Sequence, residues 1–320
     1  MVSLVLFLTV GAQSPASPPP CPVDPAIILI EAHRASEAKA LLDPCIAADP
    51  EEPRAAIAYS RSLLDLREEK GAVRTLERAA GAHPQNAELQ LWLGRAYGQR
   101  AIHATVFEQP SLATRVRKAF ERASALDPEN LEARWALVQY YLRAPNVLGG
   151  SPAKAREEAR EIEKRDALRG VRAWGRIAEH EKRWVDADQI YEKATRDFPA
   201  ASEPVVWRAA LAARLKSWER AFDVLERRLA DRPDDASAAF ELGRIAATSG
   251  QRLDRGEECL RRYLAREPGP EDPPASEAHL HLGEIYEKKR DREAARQEYG
   301  EALRLNPSET EARAGLARLR

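Results

Sequence analysis

Seven segments of this chain end alike. Residues 41–50 read LLDPCIAADP, 75–84 TLERAAGAHP, 119–128 AFERASALDP, 190–199 IYEKATRDFP, 224–233 VLERRLADRP, 259–268 CLRRYLAREP and 298–307 EYGEALRLNP. Pro50 and Pro84 are 34 residues apart, as are Pro199 and Pro233. Five residues before each Pro comes Cys45, Ala79, Ala123, Ala194, Arg228, Tyr263 or Ala302, and twelve before comes Ala38, Ala72, Val116, Ala187, Ala221, Gly256 or Ala295. A further small residue recurs twelve positions earlier, as Ser60, Gly175, Ala209 and Gly283. A period of this length marks a supersecondary unit that cannot bury its apolar face alone and must stack on copies of itself.

Composition decides what the unit is made of. Ala, Leu, Arg and Glu dominate, all strong helix formers, and β-branched runs bounded by turn residues are nearly absent. The chain is 44% apolar and 32% charged, which suits soluble helices with one buried face, and the class expected is all-α. A net charge of −1 gives no electrostatic reason to expect nucleic acid or an anionic membrane as partner.

Within each unit LWLGRAYG (91–98), FELGRIAA (240–247) and HLGEIYEK (281–288, where the first residue is His281) put Leu, Gly and often Tyr at set offsets. With the Ala column and the terminal Pro, these segments resemble the tetratricopeptide repeat. The resemblance implies a right-handed α-solenoid of helix–turn–helix units with one continuous core. Close approach of two helices needs small residues, so Gly94, Gly175, Gly243 and Gly283 are expected to face the Ala column. Phe120, Tyr191, Leu225, Leu260 and Tyr299 would then fill the space towards the next unit. About eight helix pairs follow: 24–52, 53–86, 87–130, 131–167, 168–201, 202–235, 236–275 and 276–309, with 310–320 as a partial closing helix. Segments such as GRAYG, AP followed by GG, and GQRLDRGEECLRRYL also resemble a narrower group of exported bacterial repeat proteins.

Two units depart from the period. APNVLGG (144–150) lengthens the turn inside the fourth pair by about five residues, and the third pair carries about ten extra between Gly94 and Phe120. Turns of this kind share one edge of a solenoid, so the two are expected to form one projection in which Phe107, Val147 and Leu148, with Ile102 and Val106, find apolar contacts. The competing reading is tolerated drift, since surface turns accept insertions cheaply.

The first residues, MVSLVLFLTVGAQSPASPPPCPVD, differ from the rest. Residues 1–12 read as a signal peptide with an uncharged start and 13–23 as a Pro/Ser-rich linker. A buried N-terminal helix is the alternative. Export would place the protein in the periplasm or outside the cell with no membrane insertion after cleavage; without it the protein would be cytoplasmic. Cys21 and Cys45 flank a predicted hairpin at similar distances from its turn. A disulfide there would be worth about 3 kcal/mol in the chain-entropy model; otherwise Cys45 is a small buried apolar residue. Cys259 sits on a core position.

No motif for catalysis appears. There is no G-x-S-x-G, phosphate-binding Gly loop or H-E-x-x-H, and His279 and His281 point about 200° apart on a helix. No enzyme, cofactor or metal is expected. The family resemblance implies instead a concave wall lined by the first helix of each pair: Trp92, Arg95, Gln99, Trp135, Gln139, Arg143, Arg172, Arg176, His180, Trp207, Phe240 and Arg244. Aromatics and Arg often dominate interfaces, although Trp135 and Trp207 read equally as core between units. The partner implied is a protein or peptide, with a glycan or small polymer as the alternative.

Overall fold

A computed structural model of the chain describes residues 21–266, 269 and 272–319. The leader, most of the tether and Pro268 lie outside the described residues. Seventeen helices follow one another, and no strand occurs among the described residues. They are α1 (Val23–Glu31), α2 (Ala35–Ala48), α3 (Pro53–Asp65), α4 (Glu69–Ala82), α5 (Ala87–Ile102) and α6 (Gln109–Leu126). After them come α7 (Leu131–Arg143), α8 (Pro152–Arg165), α9 (Ala167–His180), α10 (Trp184–Asp197), α11 (Glu203–Arg214) and α12 (Trp218–Asp231). The last are α13 (Ala236–Ser249), α14 (Leu253–Leu264), α15 (Ala275–Lys289), α16 (Arg292–Leu305) and α17 (Thr310–Arg318). Each helix packs chiefly on its neighbours in the chain, so the molecule is an all-α solenoid.

The boundaries have local causes. Two residues after Pro84, Pro128 and Pro233 stand Asn86, Asn130 and Asp235, whose side chains accept the backbone N–H of Leu89 at 3.0 Å, Ala133 at 2.9 Å and Ala238 at 3.0 Å. The Pro ends one helix and the cap satisfies an orphan N–H of the next. Most turns inside a pair use a basic residue in the left-handed region: His33, Arg67, Lys182, Lys216 and Arg290 have φ of 55–64°. A positive side chain there also faces the negative end of the first helix.

The two lengthened pairs differ from each other and from expectation. In the third, the extra residues extend α5 and α6 to 16 and 18 residues, leaving a turn of only 103–108. In the fourth, Asn146–Leu148 forms a 3₁₀ turn, and Gly149 follows at φ 92°. A Cβ on Gly150 would lie 1.8 Å from the Ala144 carbonyl oxygen, so only glycine passes there. The Tyr140 hydroxyl donates to the Leu148 carbonyl at 2.6 Å and closes the loop.

The apolar residues of these turns do not pack as expected. Phe107 is 95% exposed and Val147 92%, with Ile102 and Val106 also in solvent; Leu148 alone is partly covered. Polar contacts hold the turns instead, as where Glu108 accepts the Thr105 hydroxyl at 3.0 Å, so the apolar side chains are left facing outwards.

Two further expectations change. The glycines accommodate the large residue of their own second helix: a Cβ on Gly94, Gly175, Gly243 or Gly283 would come within 2.2–2.5 Å of Phe120, Tyr191, Leu260 or Tyr299, and Gly243 also faces the small-residue column, its Cα 3.6 Å from where a Cβ on Gly256 would stand. The core is also not uniform. Its buried residues group along α1–α3, α3–α9 and α11–α17, the first two bridged by half-buried Ile46 and Tyr59, with a small group of Ala178, Ala187, Tyr191 and Leu211 between the last two. At that junction a buried carboxylate takes the place of apolar contact.

Cys21 and Cys45 form a disulfide with Cα atoms 5.7 Å apart, tying the start of α1 to α2. Cys259 is buried, and burial pushes its thiol pKa up to about 11.

Candidate functional site

The first helices of successive pairs form one side of the solenoid. Neighbouring first helices touch at α1–α3, α3–α5, α7–α9, α11–α13, α13–α15 and α15–α17, whereas α5 and α7 stand further apart, as do α9 and α11. Cavities open at both gaps.

One, of about 740 Å³, lies between α7, α9, α11 and α13. Trp135, Gln139 and Arg143 enter it from α7, Arg172 and Arg176 from α9, Trp207 from α11 and Arg244 from α13. Its floor is a buried polar cluster. Glu179, 7% exposed, accepts Arg176 at 2.5 Å, Arg214 at 2.9 Å and the Tyr191 hydroxyl at 2.6 Å. A carboxylate taken out of water needs such partners, and they in turn fix the two arginines in place. Burial, then the nearby Glu179 charge, raises the Tyr191 pKa above its ordinary value. Tyr191 also meets Trp207 with ring centroids 5.8 Å apart.

Above the floor, Arg172 lies over the Trp135 ring at 4.6 Å. The concave wall strips water from it, which lowers its pKa. Arg244 is held bidentately by Glu241, whose hydrogen bonds raise the pKa of the guanidinium. Arg143 and Arg172 pair with no carboxylate among the described residues.

At the α5–α7 gap an apolar groove of about 470 Å³ lies beside Ile102, with Phe120 and Ala136 in its lining. Towards the N-terminus Trp92, Arg95 and Gln99 face a third cavity, of about 560 Å³, across from α1 and α3. Trp92 is sandwiched there between Arg61 at 5.2 Å and Arg95 at 4.6 Å, and burial raises the pKa of neighbouring Asp65. Ser308 reaches the same cavity, so the solenoid brings its last pair round towards its first. A fourth cavity, of about 620 Å³, runs from Trp135 past Ser202 to Asp272.

These spaces adjoin one another. Arg95 and Gln99 line both the N-terminal cavity and the apolar groove; Gln139 and Arg143 line both the groove and the central cavity; Trp135, Arg172 and Trp207 line both the central and the fourth. Of the twelve wall residues expected from the sequence these seven line two cavities each, whereas Trp92, Arg176 and Arg244 line one.

The other two are placed elsewhere. Phe240 is 5% exposed, packed on Tyr263 and His281. It stands seven residues after its repeat Pro, as buried Leu91 and half-buried Trp135 do, a position on the border of core and wall; Trp92 and Trp207 stand at the eighth, about 100° of helix further round. His180, the last residue of α9, is exposed and lines none of the four cavities. Glu179, Arg214 and Trp218 were missed. Arg214 had a signal, since it lies fifteen residues after Pro199 as Gln99 and Arg143 lie after Pro84 and Pro128.

His279 and His281 bond separately, to Glu298 at 2.7 Å and Glu284 at 2.9 Å. Among the described residues no group of three or more His, Cys, Asp or Glu could hold a metal ion, and no helix is long and apolar enough to cross a membrane.

Tetratricopeptide-repeat profiles match residues 29–91 and 276–309. No curated protein sequence matches the chain. Among solved structures, a thermophilic TPR protein of Thermus thermophilus is 17% identical with a TM-score of 0.49, covering 59% of this chain and 96% of its own. A tetratricopeptide repeat protein from Parabacteroides merdae is 11% identical with a TM-score of 0.47, covering 93% and 96%. The pilF protein of Pseudomonas aeruginosa is 18% identical with a TM-score of 0.40, covering 72% and 97%. With the repeat profiles matching near both ends and paired helices running without interruption between them, the chain is a tetratricopeptide-repeat protein.

Proposed function

We propose that the protein is a non-enzymatic scaffold that binds an extended protein or peptide segment along the trough formed by its first helices. The row of adjoining cavities carries this reading: openings in succession past α1, α3, α5, α7, α9, α11 and α13 suit a long, thin ligand better than a compact substrate. The half-exposed rings of Trp135 and Trp207 favour a second reading, in which sugar rings of a glycan or other small polymer stack on them.

The test is retention of partners from cell extract by wild type and by Arg143→Ala and Trp207→Ala variants of equal helicity. The scaffold reading expects a stoichiometric protein retained by wild type and lost in the variants. Retention that both variants leave intact would sink it, and recovery of carbohydrate alone would favour the second reading.

The compartment belongs to the same proposal. The apolar run at residues 2–10 and the Cys21–Cys45 pair both suit an exported protein in an oxidising compartment. Intact mass before and after reduction reads the leader and the bridge together.

A further inference from the structure

The wall of the central cavity is lopsided in charge. Arg143, Arg172, Arg176, Arg214 and Arg244 line it against a single carboxylate, Glu179. Glu241 stands behind Arg244, and the charges of Glu132, Glu277 and Glu284 reach Arg172 or Arg244 from outside, but none of these acids lines the cavity, in a molecule whose net charge is only −1. The excess is local, and a concave wall of one sign concentrates its potential on whatever enters. Arg176, Arg214 and Arg244 are already held by Glu179 and Glu241. Arg143 and Arg172 retain unused donors, and Arg143 stands on the rim shared with the apolar groove.

That groove is of opposite character. Gly94, Gly98, Ala101, Ala113 and Ala136 leave room beside Ile102, and its space suits one or two large apolar side chains. Ile102, Val106, Phe107 and Val147 are exposed in the turns of the same two pairs. A contiguous exposed apolar surface marks an interaction site, and Ile102, 68% exposed, also lines the groove.

We infer that the ligand is an acidic peptide segment with an apolar anchor, its carboxylates over Arg143 and Arg172 and its anchor in the groove between α5 and α7. This rests on the scaffold reading and adds the chemistry of the ligand. Charge complementarity selects the acidic part, since a basic segment would meet Arg143 and Arg172, which form no salt bridge with any carboxylate among the described residues. The shared rim at Gln139 and Arg143 requires the two parts to be adjacent in the ligand.

The test is selection of a random dodecapeptide display library on the folded full chain, repeated on Arg143→Glu, Arg172→Glu and Ala136→Trp variants. Wild type should enrich peptides combining Asp or Glu with a neighbouring Leu, Ile, Phe or Trp. Arg143→Glu and Arg172→Glu should each weaken the best peptide by about tenfold or more. Ala136→Trp should abolish the preference for the apolar residue and keep that for acid. Ile102→Asp, at a position 68% exposed, reads the same preference if Ala136→Trp disturbs folding.

Peptides enriched without acidic bias, yet lost in the arginine variants, would overturn the ligand class and leave the scaffold reading standing. Failure to enrich any peptide, or enrichment unchanged in every variant, would overturn both. Labelled single-stranded oligonucleotide and anionic polysaccharide are run beside the selected peptide, and tighter binding of either also overturns the acidic-peptide class.

Discussion

Gly175 is where packing and the trough meet. Its missing Cβ leaves room for the Tyr191 ring, and the Tyr191 hydroxyl reaches Glu179, which holds Arg176 and Arg214. Gly175→Ala is expected to cost about 1–3 kcal/mol through overpacking and to loosen the arginines as Tyr191 moves. Urea denaturation gives the first figure. The second is a fall in affinity for the selected peptide beyond that of a Gly283→Ala control, which crowds Tyr299 outside all four cavities; equal affinity in the two would refute the link. The sequence marks the glycine as a point of close approach, but spacing alone does not say which residue of the second helix lies over it. Phe240 was misread for a related reason: wall and core positions are one residue apart, and an aromatic suits both. Glu179 was illegible because an acid in a chain with 32% charged residues carries no mark of its burial.

Between helices, α14 and α15 are joined by a polar cluster at Glu257. It accepts Lys289 at 2.8 Å and Arg261 at 3.1 Å, and the Tyr286 hydroxyl as well. Desolvation pushes the Glu257 pKa up, but hydrogen bonds from Lys289, Tyr286 and Arg261 outweigh it and bring the value down to about 2. A depressed carboxylate stabilises the fold fully above its unfolded pKa of about 4.5 and loses that contribution as pH falls towards 2. Glu257→Gln should therefore be less stable than wild type at pH 7, by about 2 kcal/mol after solvent screening. The gap should close between pH 4.5 and 2; a constant gap would mean the residue acts by packing alone. None of this cluster was visible in the sequence, whereas the elements it joins were, because Pro, the Ala column and the glycines recur at fixed offsets. The third pair was misjudged as a long turn because its inserted residues include good helix formers, and helices absorbed them.

Across the whole molecule, stability is built from neighbour contacts in successive clusters, so a local loss should stay local. Reducing Cys21–Cys45 removes a constraint worth at most about 3 kcal/mol and should raise hydrogen exchange in α1, α2 and the adjoining face of α3. Helices α13–α16 should exchange as before; a rise along the full length would mean a single cooperative body. The solenoid was legible from the period alone, but its breaks were not, since periodicity describes what the pairs share. The gaps at α5–α7 and α9–α11 arise where they differ. There the first helices part while α6–α7 and α10–α11 still pack, so successive pairs stay joined along one edge only. In mechanical terms the softest joint is expected at α9–α11, where first-helix contact and the larger core clusters lapse together. A ligand that grips across it would set the curvature of the body, making occupancy readable as a change in end-to-end distance.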